Sequence, residues 1–442
     1  MKEEYTIDVF SSQIRSLSIA KKYIQSCKIK KIKTDLSPYC DFVTWANCLG
    51  LEKLLLLINN KRLSLKLIQN FIVEFLAIGQ HHNYLLSGSL KDKKNILNVV
   101  YSYCSKENFD NNGNFYDYYF KDGNSLNNTI WFLISLDNFV PHNAKNCLIL
   151  YKRKNFNFLY FIKYITRNCL KKNFMHLINN TTNLTTIYTA NFFKIFREKN
   201  FNLFMPFENR PHQNSIIRCT KRISKKNKIY GYYHRMPEPF QSEMIFKGTE
   251  IDKLYVCSDL QKKIFNKYYN WPKKKVKVIN SIRYPRLKKR NKTIFLPFEI
   301  KNIDFLIRNL TKFLSKKNFS LKDIKISLHP LKKKSKKHQL LRTKIKTILN
   351  NLKNKRHKKK ESFIYPIILG EPGGVAAECL QSSGKVYHIT DSFFDIFSHK
   401  IWKGIQVKKI IDDVYEYTKE KKVQLVKLNG KKNNFSKILN IN

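Results

Sequence analysis

The chain has 442 residues, more than a single core usually supports, so two domains are the default expectation. Hydrophobic residues at 43% and aromatics at 14% exclude global disorder. Lys and Arg at 84 against Asp and Glu at 32 leave a formal charge of +52, a surface attractive to nucleic acid, anionic lipid headgroups or phosphorylated glycolipids alike. The excess is spread through Lys-, Asn- and Ile-rich stretches, and charge runs of that kind mostly make solvated faces. Nine cysteines stand at irregular spacings without a CxxC pair, which reads as reduced thiols of a cytoplasmic protein with no metal site.

The opening residues carry neither the basic nor the apolar region of an export signal, which supports the cytoplasmic expectation. The densest apolar run, 51–58, is too short to span a bilayer and contains Glu52 and Lys53. Contact with the inner face of the plasma membrane is therefore expected only peripherally, through basic surface at 332–360 and 273–275.

Residues 1–125 show helical spacing at 51–57 and 63–78 but little chemistry. From 129 onward short apolar runs alternate with helical ones, the rhythm of a parallel sheet. Strands are expected at 130–134, 147–151, 202–207, 228–233, 253–257, 276–279, 292–297, 324–328, 365–370 and 385–389. A helix is expected at 212–224, and another after Ser258 or Asp259 as cap. The Pro-rich loop 236–240 reads as a hinge. The expected fold is α/β: two Rossmann-like doubly wound domains facing a central cleft, residues 1–238 and 239–442, the second carrying a C-terminal tail that crosses back.

Chemistry-bearing residues fall at strand ends, where open α/β sheets bind ligands. Glu208 ends a strand and has the geometry of a general base; a capping or surface carboxylate is the ordinary alternative. His234, with Arg235 beside it, ends the next strand. His329 precedes the strand-stopping Pro330 and is placed to donate to a phosphate oxygen. Gly370-Glu371-Pro372-Gly373-Gly374 runs into Val375-Ala376-Ala377-Glu378, a glycine turn that lets backbone N–H groups approach a phosphate at a helix start, with Glu378 able to reach ribose hydroxyls. It is neither Walker A nor GxGxxG.

The run Phe207-Glu208-Asn209-Arg210-Pro211-His212, followed at a helix length by Ile229-Tyr230-Gly231-Tyr232-Tyr233-His234, resembles the motif pair of bacterial surface-carbohydrate biosynthesis glycosyltransferases. These are GT-B enzymes related to the sialic-acid and Kdo transferases that use CMP-activated sugars. His212, Gln213 and Tyr233 depart from the family pattern. The resemblance, over about 130–410, implies an inverting, metal-independent transfer from a nucleotide-sugar donor to a glycan or lipid-linked acceptor. Glu208, His234 and His329 would be catalytic, and His329, Pro330, Gly373, Gly374 and Glu378 would hold the nucleotide; no separate cofactor is implied. Two other readings stand beside it. One is a basic nucleic-acid-binding protein, suggested by the charge and by lysines interleaved with aromatics at 267–274, though no known nucleic-acid motif accompanies them and nucleic acid is the less expected partner. The other is a non-catalytic polysaccharide-assembly protein.

Overall fold

A computed structural model describes residues 4–8, 31–35, 84–87, 98–117, 128–152 and, with short interruptions, 192–428, together with a few positions between 158 and 166. The helical spacings at 51–57 and 63–78, Pro330 and the lysines at 358–360 lie outside the described residues. The protein is a mixed α/β structure with parallel sheets. Strands β1 (Glu4–Asp8) and β2 (Lys31–Asp35) form a parallel pair of their own.

The first large sheet contains β3 (Tyr84–Ser87), β4 (Asn98–Cys104), β5 (Thr129–Ser135), β6 (Cys147–Lys152), β7 (Asn202–Pro206), β8 (Lys228–Tyr232), β9 (Lys253–Val256) and β10 (Val276–Val278). Their spatial order is β10-β9-β8-β7-β4-β5-β6-β3, and every neighbouring pair is parallel except β3 with β6. Strands covered on both faces read as unbroken apolar runs, which explains the wholly buried Thr129–Ser135. Helix α1 (Pro211–Ile223) joins β7 to β8, and α2 (Asp259–Lys267) joins β9 to β10. The cap of α2 is Ser258, whose hydroxyl accepts from Gln261 N–H at 3.1 Å.

The second large sheet has the order β12-β11-β13-β14-β16-β15. It is built from β11 (Thr293–Phe295), α3 (Ile303–Lys316), β12 (Lys325–Ser327), α4 (Lys336–Asn354), β13 (Ile367–Leu369), α5 (Gly373–Ser383), β14 (Lys385–Ile389), β15 (Ile405–Ile411) and β16 (Val414–Lys419). The first four strands in that order are parallel; β16 pairs antiparallel with both β14 and β15. Leu306, Leu310, Phe313 and Leu314 recur at helical spacing on α3 and are the face it buries.

Four features depart from the sequence expectation. Strand β4 lies at the centre of the first sheet, yet Asn98 and Ser102 interrupt its apolar run and hide it in the sequence. Strands β9 and β10 belong to the first sheet, so the chain changes sheet between 278 and 293 rather than at 238. Parallel pairing joins strands distant in sequence, and neither composition nor periodicity says which neighbour a short buried strand takes. Of the expected hinge at 236–240, Met236 is packed in the core, while residues 239–240 lie outside the described residues. Finally, the β15–β16 hairpin adds an antiparallel edge that no apolar alternation announced. Beyond the hairpin the chain returns to the first sheet: Lys427 N–H donates to Cys257 O at 2.7 Å, and Ser281 N–H donates to Lys427 O at 2.7 Å.

Candidate functional site

Both large sheets reverse their winding direction once, between β4 and β7 in the first and between β11 and β13 in the second. The carboxyl ends of the strands at such a reversal leave a crevice between diverging connections. The sequence candidates collect at these two places.

In the first, Glu208 follows β7. Its position is held by Gln213 of α1, whose amide oxygen accepts from Glu208 N–H at 2.9 Å and whose amide nitrogen donates to Pro206 O at 2.8 Å. Asn209 adopts φ 56°, and Asn214 donates to its side chain at 2.8 Å, closing the turn. Gln213, met in the sequence as a departure from a motif, is thus the residue that fixes this loop. Gly231 of β8 has a packing reason: a Cβ there would stand 2.5 Å from Ile251 Cδ1 and 2.8 Å from Phe207 Cβ. The end of the same strand delivers His234 and Arg235. His234 Nε2 is 3.3 Å from Glu208 Oε1, and Arg235 Nε donates to the same oxygen at 2.8 Å. A second guanidinium nitrogen of Arg235 is 3.5 Å from Glu238. Glu208 and His234 therefore meet, as expected, but with Arg235 placed against the carboxylate, so its charge is already balanced inside the protein.

In the second, the loop after β11 carries Phe298, His329 lies two residues past the end of β12, and α5 starts two residues after Glu371. His329 is exposed and meets Phe298 edge-on with ring centroids 4.9 Å apart; Lys332 Nζ lies 4.1 Å above the same ring. Phe298 keeps 40% of its surface in solvent despite these neighbours. Strands β12 and β13 flank β11 in parallel, so His329 and the Gly373 turn both follow carboxyl ends on the same side of the sheet. Gly374 abuts Met236, two residues beyond His234: a Cβ on it would lie 3.0 Å from Met236 Cβ. The glycine turn of the second sheet thus touches the segment that carries the first sheet's cluster. Glu378 does not share that edge with a free carboxylate; it pairs with Arg290 at 3.2 Å, and Arg290 also lies over Phe295.

The basic segment forms the entry to α4. Ser335 Oγ and Pro297 O bind the two ring nitrogens of buried His338 at 2.9 and 3.0 Å, fastening the helix start to the end of β11. Around that anchor Lys333, Lys334 and Lys336 are exposed, and none of them reaches a carboxylate among the described residues. The aromatics at 267–274 behave otherwise. Tyr269 and Trp271 are buried, and Trp271 Nε1 donates to Met244 O at 2.6 Å, so they serve the core rather than a surface.

Beneath the second site, fully buried His388 joins Gly370 O at 2.6 Å to the Tyr417 hydroxyl at 2.9 Å. Burial pushes its imidazole down to about 4, and the Gly370 hydrogen bond opposes this only in part. The free cysteines among the described residues are buried, and burial raises Cys104 and Cys379 to about 12. Among the described residues no group of three or more His, Cys, Asp and Glu side chains is arranged to hold a metal ion, and no helix is long and apolar enough to cross a membrane.

No family model matches the chain, and no solved structure matches it. It is similar to the DNA-directed RNA polymerase subunit beta'' of Euglena longa, with 35% identity over 127 residues. The alignment covers 28% of this chain and 15% of that subunit's length. This finding overturns the expectation of a sugar transferase: the relative is a polymerase subunit, which favours the nucleic-acid-binding alternative over it. Phe298 and Arg290 escaped the sequence reading altogether. The only signal for Phe298 was an aromatic directly after a strand-ending Pro297.

Proposed function

We propose that this chain binds single-stranded nucleic acid at the carboxyl end of its second sheet. The observation that carries the reading is Phe298, an exposed ring flanked by Lys332 and His329 and followed by lysines with no acidic partner among the described residues. A base has a π-face that stacks on such a ring whatever its sequence, while adjacent ammonium groups track the backbone. His329, Lys332, Lys333, Lys334 and Lys336 contribute charge and hydrogen bonds to phosphates, and the Gly373 turn offers backbone N–H groups on the same edge. The similarity to a polymerase subunit supports this choice of polyanion. In this reading the two sheets act as two Rossmann-like units, and the strand enters the crevice between them.

Fluorescence anisotropy with labelled single-stranded and duplex oligonucleotides across a salt series tests it. Four lysine–phosphate contacts give a slope of log K against log salt of about −3 for single strands. Lys333→Glu combined with Lys336→Glu should weaken binding on the order of 100-fold and flatten the slope by about half. Binding that ignores salt, or a double variant that binds as the parent does, overturns the reading.

A further inference from the structure

A second basic concavity lies away from this edge, where the first sheet's α2 faces the base of the β15–β16 hairpin. It encloses about 880 Å³, within the range of small-molecule sites. Lys263, Lys267, Lys273, Lys403 and Lys422 line it, against two carboxylates, Asp259 and Glu420. Asp259 is already engaged by Lys427 at 2.8 Å, so the ammonium groups are in excess within the cavity. Lys263 and Lys267 stand one helical turn apart and share a face of α2.

Between the lysines the wall is apolar. Leu260, Ile264, Ile401 and Val423 contribute to it, and the Tyr268 ring lies beneath the Lys267 ammonium at 5.1 Å. Asn266 also lines the cavity, although its amide oxygen is buried and has no hydrogen-bond partner among the described residues. The far wall is rigid. Gly404 sits at φ 89° with its Cβ position 2.1 Å from Val423 Cγ2, and Glu420 N–H donates to Gly404 O at 2.9 Å. A cavity with clustered ammonium groups and an apolar and aromatic wall matches a ligand that joins several phosphates to a planar group.

We infer that this cavity binds a nucleoside polyphosphate, with the phosphates on the lysines and the nucleoside against Tyr268 and the apolar wall. The site is separate from the proposed strand-binding edge and does not rest on it. Because one wall comes from α2 of the first sheet and the other from the hairpin of the second, the ligand bridges the two sheets and stabilises their packing.

The test is calorimetric titration and thermal unfolding of the full chain with ATP, AMP and inorganic tripolyphosphate at physiological salt. ATP should bind more tightly than AMP, which lacks the extra charge, and more tightly than tripolyphosphate, which lacks the nucleoside. Lys263→Glu with Lys403→Glu should weaken ATP binding about tenfold or more, both positions being exposed and outside the core. Lys333→Glu with Lys336→Glu should leave ATP binding unchanged. No measurable ATP binding overturns the inference. So does equal affinity for ATP and tripolyphosphate, which marks a polyanion sink, and so does loss of ATP binding in the Lys333 and Lys336 variant.

Discussion

The two crevices differ in how their charges are settled. At the end of the first sheet, Glu208, His234, Arg235 and Glu238 neutralise one another in a half-buried knot. At the end of the second, exposed Phe298 and His329 and half-buried Lys332 stand beside exposed lysines with no carboxylate within reach among the described residues. A charge already paired inside the fold gains little from a ligand, since a new contact must first displace an existing one. An unpaired exposed cation loses no internal partner when a phosphate arrives, and counterion release adds to the attraction. The same sheet-end geometry therefore yields a paired, structural cluster in one place and, in the other, the surface proposed above to dock a strand.

The largest expected effect lies under the second crevice. His388 titrates at about 4 in the fold and near 6.5 when unfolded, so between these values the unfolded chain binds more protons and stability falls as pH falls. The loss from pH 7 to pH 4 amounts to roughly 3 kcal/mol. Urea unfolding of the parent and of His388→Gln at both pH values measures it: the variant should lack this part of the decline. An identical decline in both would place the acid sensitivity elsewhere.

In the first crevice, Glu208→Ala should destabilise the protein by about 2 kcal/mol, because Arg235 and His234 are left without their shared carboxylate. Nucleic-acid affinity should stay unchanged. A large fall in affinity without a fall in stability would erase the contrast between the two ends.

Phe298→Ala should do the reverse, weakening single-strand binding about tenfold, within the range for loss of one stacked base, with little change in melting temperature. Duplex binding should suffer less. The smallest effect is expected for Lys332→Gln, which removes one phosphate contact and the cation over Phe298; affinity should fall a fewfold and the salt slope by about 0.7. A slope equal to the parent's would mean that Lys332 touches no phosphate.

Much of the architecture was legible from residues alone. Continuous apolar runs identify a strand buried on both faces without any knowledge of its neighbours, which is why β5, β7 and β13 were expected where they occur. Ser258 as a cap was equally local, since the hydroxyl and the N–H it binds lie three residues apart. The meeting of Glu208 with His234 was foreseen because both follow strands expected to run side by side. Arg235 was noticed, but its bond to Glu208 depends on a side-chain direction that spacing does not encode.

Tertiary structure decided the rest. It placed β9 and β10 in the first sheet, since parallel partners are chosen by non-local packing and by the crossover path rather than by local pattern. It buried Tyr269 and Trp271, the aromatics that looked like a surface signature, and exposed Phe298, whose only signal was its place directly after a strand-ending Pro297. It also tied Glu378 to Arg290, some 90 residues away in the chain. Residue type and period determine which segments must be covered, because burial of apolar surface is a local demand. Which charges are left uncovered depends on what the folded chain brings beside them.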